Sequence, residues 1–331
     1  MPNSNRFRFA LRFVLGIIVT TVLLGWLFRN MDWAQLGGMF KHMTWRLALI
    51  GLGIVFLLQV VRSARFVVFA PKTPFLTMLS ITAVHTFMLR IMPARTGELV
   101  YAFLVKRAGT AGFGESLVSL LLLRILDATV VIVIFAVALA FNRGIYLGDP
   151  LWGMIIAGLL VLLGTLAIVF FHRLLRFGLR IAKSVLQLLG LHKKPTVHRI
   201  FSRLGEVVAS SAKIPSAVMS KAVIYTAAHW LVIFALIYWA MRAFYIPVGL
   251  GQVVLGGTAV IVSSFLPVSA VGSFGILEAG WAMGFTLVGL ESGTAAASGV
   301  AFSVITLVYA ALLASVGWIL LAVLGRQEHG G

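Results

Sequence analysis

The fold class this sequence predicts is an all-α polytopic membrane protein, and three observations predict it. The chain is 61% hydrophobic and only 11% charged over 331 residues, with a mean hydropathy of +1.06. A soluble domain is nearer half apolar and a quarter charged. The apolar residues fall in windows close to the roughly 20 residues needed to cross a bilayer. Finally, 27 Lys+Arg stand against 9 Asp+Glu, a net charge of +18, and much of the basic charge falls between the windows. That is the pattern of positive-inside topology and attraction to anionic headgroups. No recognition helix, zinc-finger spacing or RNA-binding signature accompanies it, so no nucleic-acid partner is expected.

The elements follow in order as one integral membrane unit over 1–331. The start, "MPNSNRFRFALRFVLGIIVTTVLLGWLF", is basic, then apolar, and lacks a small-x-small cleavage site. It reads as a retained first span over 10–28. A second span covers 47–69. Residues 75–107 are apolar but interrupted at "MPARTGE", so this segment is expected to break. Further spans follow at 115–141 and 151–171. The stretch "HRLLRFGLRIAKSVLQLLGLHKK" lies in a basic loop over 172–215, and its cations and apolar residues separate onto two helical faces. It suits an amphipathic helix on an anionic leaflet, or a solvated topology-setting loop. A span at 217–241 precedes a second broken segment, 251–290, interrupted at "LPVSAVGSFGILE". A last span covers 295–324.

The count is therefore about six full spans with two broken re-entrant hairpins, or eight spans if the hairpins cross. The first half is 1–141 and the second 217–324. Loop charge places both termini in the cytoplasm and makes the two broken segments enter from opposite faces. Each break carries a Pro, then Gly, then Glu: Pro93, Gly97 and Glu98, and later Pro267, Gly272, Gly275 and Glu278. This suggests an inverted repeat of the kind that places discontinuous helices near the bilayer midplane.

The chemistry concentrates at the first break. Pro93 removes a backbone donor and Gly97 permits unusual dihedrals, so a helix is expected to stop near Met92 and restart near Gly97. Broken backbone at membrane depth survives only when packed in protein or lining a wet cavity. Arg90, Arg95 and Glu98 sit at that break, and a charge at such depth costs a few kcal/mol or more unless partnered. An anionic headgroup is one suitable partner for a guanidinium. The competing reading is a cytoplasmic loop whose arginines snorkel outward.

Other embedded polar residues divide the same way. Arg124 and Asp127, one turn apart in "LVSLLLLRILDATVVIVIF", either neutralise each other or flank the Arg90–Glu98 region. Glu278 needs a proton or a cation, with Arg95 the expected one. His85 is a proton carrier or a packing residue, and His229 beside Trp230 reads as packing. Arg62 and Arg65 end the second span as snorkelling anchors, or admit headgroups to a groove. Glycines in "GQVVLGGTAV" and "GSFGILEAGWAMG" offer small faces for close helix approach.

The Pro-x-Arg-x-Gly-Glu step at 93–98 and the later Pro…Gly-x-x-Gly-x-x-Glu resemble the lysylphosphatidylglycerol synthase transmembrane-region family. These flippase-like proteins include hopanoid-associated members. The resemblance implies a bacterial or archaeal membrane protein that moves a lipid, or lipid-linked headgroup, between leaflets. Bifunctional members carry a soluble aminoacyltransferase domain after the membrane part. The chain ends at "GRQEHGG", so lysine transfer to lipid is not expected of it.

Enzyme signatures fail in turn. There is no cysteine, and no His-Glu-x-x-His, phosphate-binding loop, Gly-x-Ser-x-Gly elbow or close acidic pair. No cofactor or metal is expected. The leading function is lipid translocation across the bacterial inner membrane, with Arg90, Arg95, Glu98, Glu278, Arg124, Asp127 and His85 as headgroup-binding residues. Partners are membrane lipids with anionic or polar headgroups and lipid-biosynthetic enzymes. The alternatives are a non-transporting scaffold of a lipid-biosynthetic complex and, last, an embedded transferase.

Overall fold

The computed structural model describes residues 31–92, 96–141, 216–264 and 275–327, with isolated positions in 21–29 and 155–184 and at 205. These residues form nine helices. The first is α1 (Trp33–His42). It is opened by the Asp32 carboxylate, which accepts from the Gln35 amide at 3.0 Å, a cap that satisfies one orphan donor of the first turn. The Thr44 hydroxyl does the same for α2 (Trp45–Val67), accepting from Leu47 at 3.3 Å. The first broken segment is α3 (Phe75–Ile91) and α4 (Gly97–Arg107). Then come α5 (Phe113–Phe141) and α6 (Ser216–Ala243). The second broken segment is α7 (Leu250–Ser264) and α8 (Ile276–Leu287), and α9 (Ser292–Gln327) closes the fold.

Four of these helices are long and apolar enough to cross a membrane: α2, α5, α6 and most of α9. They match the spans read at 47–69, 115–141, 217–241 and 295–324. The spans read at 10–28 and 151–171 lie largely outside the described residues. So does most of the basic loop; its described positions Arg173, Phe177, Arg180, Ile181 and Ser184 are helical. The long helices present apolar faces outward, including Leu49, Ile50, Phe56 and Leu57 on α2 and Leu312, Val316, Ile319 and Val323 on α9. Exposed apolar area of this extent marks contact with lipid.

Both broken segments break where Pro and Gly predict. α3 ends at Ile91, two residues before Pro93, and α4 restarts at Gly97. At 1.5 Å per residue, α3 and α4 are about 26 and 17 Å long and α7 and α8 about 23 and 18 Å. A hydrocarbon core is about 30 Å thick. The ends of each hairpin lie together. Thr73 donates to Thr110 at 2.7 Å, joining the loops before α3 and after α4. Gln252 Nε2 donates to the Val288 carbonyl at 2.9 Å, joining the start of α7 to the end of α8. Each pair is a helical hairpin built of helices shorter than the four spans, the form expected of a re-entrant hairpin.

Their faces are opposite. The second hairpin opens on the α1 side, where His42 meets Tyr245 edge-on at 5.7 Å and Thr294 contacts Gln35 at 2.7 Å. The first opens at the other end of α2. Small residues allow the tight packing of α7 on α8: a Cβ at Gly284 would strike the Gly256 carbonyl, and one at Gly280 would strike Ser263. Helix α9 is the spine, packing on α3 from the first half and α8 from the second.

Two apolar cores result. One gathers α1, the first half of α2, the second half of α5, and α6, α7, α8 and α9 around Phe234, Ile237, Trp281 and Phe285. The other gathers the end of α2 with α3, α4 and the first half of α5 around Met78, Ile81, Tyr101 and Leu123. Along α2 the cores part between Leu58 and Phe66, along α5 between Leu126 and Val130, and along α6 between Ala222 and Trp230.

Candidate functional site

Those three gaps hold Gln59, Arg62, Arg65, Asp127, Thr226 and His229, so a polar layer separates the two cores. Asp127 is near the middle of α5 and His229 near the middle of α6, which puts the layer near mid-depth. The tip of the first hairpin brings His85, Arg90 and Glu98 to it, and α5 adds Arg124.

The innermost unit is an ion pair between Arg65 and Asp127, with side chains only 5% and 7% exposed. A second guanidinium nitrogen donates to the other Asp127 oxygen at 3.3 Å, and Trp230 Nε1 donates to Asp127 at 3.0 Å. A bidentate fork with an added neutral donor is what a buried carboxylate requires. The outer unit is Arg124 with Glu98, 2.8 Å apart and 34% and 28% exposed.

Of the two readings of Arg124 and Asp127, mutual neutralisation fails and flanking of the Arg90–Glu98 region holds: one turn apart on α5, Arg124 pairs with Glu98 and Asp127 with Arg65. The snorkelling reading of Arg62 and Arg65 is corrected. Arg65 is not a snorkelling anchor; it is 4% exposed and committed to Asp127. Nor does Arg62 reach outward. It donates to the Thr86 hydroxyl of α3, whose own proton goes to the Thr82 carbonyl at 2.7 Å. Beside it the Ser63 and Thr82 hydroxyls meet at 2.6 Å, completing a polar seam between α2 and α3.

Glu278 is 3% exposed in the first turn of α8. Its carboxylate accepts from the Gly275 amide at 2.7 Å, the reach-back half of a capping box. Gly275 has φ +87°, a conformation glycine adopts without strain. Ser303 of α9 is within hydrogen-bonding reach of Glu278, and Arg90 is the cation whose charge it feels. The expected partner, Arg95, lies with Pro93 outside the described residues. The Gly-x-x-Glu spacing of 275–278 is the sequence signal for this cap.

His85 is buried in α3 between Phe66 and Tyr101, at ring separations of 6.2 and 5.6 Å. Among the described residues neither ring nitrogen has a hydrogen-bond partner, and the same holds for Tyr101 Oη, His229 Nδ1 and Arg65 Nε. Sequence reasoning gave no role to Tyr101 and treated His229 as packing. What it lacked was the contact map, because these residues come from four helices and no local motif links them.

Among the described residues no group of His, Asp and Glu is arranged to hold a metal ion. The arrangement can bind an anion against the guanidiniums, exchange ion-pair partners at the half-exposed Arg124–Glu98 pair, and hold polar groups out of lipid. Among known families, the lysylphosphatidylglycerol synthase transmembrane region matches residues 13–314. No curated protein and no solved structure matches the chain.

Proposed function

Because the chain belongs to the lysylphosphatidylglycerol synthase transmembrane-region family, we propose that it moves lipid headgroups between the leaflets of a bacterial inner membrane. The observation that carries this reading is the polar layer between two apolar cores, with two helical hairpins that open at opposite ends of α2. An anionic headgroup entering beside α4 meets Arg124 first. It can displace Glu98 there, since exposed ion pairs are worth only about 0–1 kcal/mol. Arg90, and Arg95 at the same break, then hold the anion, while Glu278 and Asp127 balance the empty chamber and His85 lines its inner wall. The acyl chains stay in lipid. Helix α9 touches both hairpins and is the element against which they rock to expose the chamber alternately. The sequence has no phosphate-binding loop, so the drive is a gradient, of an ion or of the lipid itself.

The test is leaflet exchange in proteoliposomes, read by dithionite quenching of fluorescent lipids across anionic and glycolipid headgroups. The wild-type protein is expected to accelerate exchange of at least one anionic lipid. Arg90→Ala and Glu278→Gln are expected to slow it at least tenfold, while Arg46→Gln, at the exposed start of α2, leaves it unchanged. An absence of protein-dependent exchange over a native-lipid panel would reject transport and point to an accessory role in a lipid-biosynthetic complex.

A further inference from the structure

Five buried polar atoms of the polar layer have no hydrogen-bond partner among the described residues: Arg65 Nε, both ring nitrogens of His85, Tyr101 Oη and His229 Nδ1. Their residues are 4%, 4%, 0% and 3% exposed respectively. Buried polar groups are seldom left without a partner, so the donors among these atoms call for an acceptor. They share a neighbourhood. His85 lies within electrostatic reach of Arg62 and Arg124, and His229 within reach of Arg65, Arg62 and Arg124. Tyr101 stacks beside His85 and Phe66.

The charge in that neighbourhood is one-sided. Arg65 is matched by Asp127 and Arg124 by Glu98. Arg62 forms no ion pair among the described residues; its bond is to the neutral Thr86 hydroxyl. Arg90 lies within electrostatic reach of Arg62 as well, so guanidiniums outnumber the carboxylates around Arg62 and the local charge is positive. The orphaned groups complement it, because a guanidinium Nε–H only donates, a phenol donates readily and each neutral imidazole has one N–H. The matching ligand is an anion that offers acceptor oxygens in several directions at once. A planar carboxylate offers two oxygens in one plane; a tetrahedral oxyanion offers lone pairs to donors from α2, α3, α4 and α6 together.

We propose that Arg62, with Arg65, His85, Tyr101 and His229, forms an inner oxyanion subsite that takes an anionic phosphate group, as a phosphodiester headgroup or as free phosphate. This deepens the headgroup reading and rests on it for the source of the phosphate, not for the chemistry of the site. It assigns Arg62, Tyr101 and His229, which the translocation scheme does not use.

Calorimetric titration of the purified full-length protein in detergent tests it, with inorganic phosphate and dihexanoyl phosphatidylglycerol below its micellar concentration as probes. Saturable binding of at least one probe is expected. Arg62→Gln should weaken it at least tenfold. Tyr101→Phe, which removes one hydroxyl and keeps the ring packing, should weaken it about three- to tenfold with an unchanged melting temperature. Arg46→Gln should bind as wild type. If both probes bind and both variants weaken them, the subsite stands with a lipid source. If only phosphate binds and is weakened, it stands as a free-anion site and the headgroup reading loses this contact. If neither probe binds, or both variants bind like wild type, the subsite is overturned, whatever the leaflet-exchange assay shows.

Discussion

At the residue scale, the two ion pairs of the polar layer are predicted to behave differently because they are buried differently. Arg65–Asp127 is almost out of solvent, and Trp230 adds a third bond to Asp127. Removing one member leaves an uncompensated charge between two apolar cores, which costs about 3–5 kcal/mol in comparable sites. Asp127→Asn should therefore lower the thermal midpoint in detergent sharply. The double change Arg65→Met with Asp127→Leu should recover most of that loss, since replacing a whole buried pair by apolar groups is often neutral. Glu98→Gln, at a pair roughly a third exposed, should shift the midpoint far less, by the equivalent of about 1 kcal/mol or under. Equal shifts for Asp127→Asn and Glu98→Gln, seen by fluorescence-detected melting, would mean the inner pair is not sequestered.

At the element scale, what was legible in the sequence is what local chemistry decides. The break before Pro93 and the restart at Gly97 follow from the missing donor and the permissive backbone. The partners of Arg65, Arg124 and Glu278 were not legible, because helix rotation and contact set them, and spacing within one helix left Arg124 open to either Asp127 or the Arg90–Glu98 region. Gly97 illustrates a second requirement that only packing reveals. A Cβ there would lie 2.7 Å from the Met88 carbonyl oxygen and 2.8 Å from Leu89 Cα. Those are backbone atoms of α3 and cannot swing aside, so α4 would have to move off α3. Gly97→Ala is expected to cost about 1–3 kcal/mol, the usual range for overpacking, and to weaken any ligand binding at the hairpin tip. Gly53, in mid-α2 with nothing within 4 Å of the added carbon, is the contrast: Gly53→Ala should be neutral or stabilise by about 0.5–1 kcal/mol through helix propensity. A melting series containing both variants separates contact from propensity, and similar midpoints for the two would refute the close approach.

At the scale of the whole molecule, the two hairpins open at opposite ends of α2, and the loop charges predict which face is which. Lys72, Lys106 and Arg107 gather where the first hairpin opens, and the positive-inside rule predicts that this basic side is cytoplasmic. The α1 face carries the exposed aromatics Trp33, Trp45 and Tyr245, which suit the headgroup level of an outer leaflet. Lys41, Arg46 and Arg242 on that face run against the rule. The chain has no cysteine, so single cysteines report sidedness without background. In spheroplasts, an impermeant maleimide should label Lys41→Cys and Gly249→Cys directly, and Lys72→Cys and Lys106→Cys only after permeabilisation. Those four positions fix orientation but do not tell a re-entrant hairpin from a pair of crossing spans, because both return the chain to its starting side. Thr96, exposed at the tip of the first hairpin, does. A polyethylene-glycol maleimide too bulky for the chamber should fail to reach Thr96→Cys from outside if α3 and α4 turn back within the bilayer. Ready labelling from outside would mean that they cross, and the polar layer would then no longer lie at the meeting point of two opposed hairpins. Inverted labelling of the other four would reverse the orientation while leaving that meeting point intact.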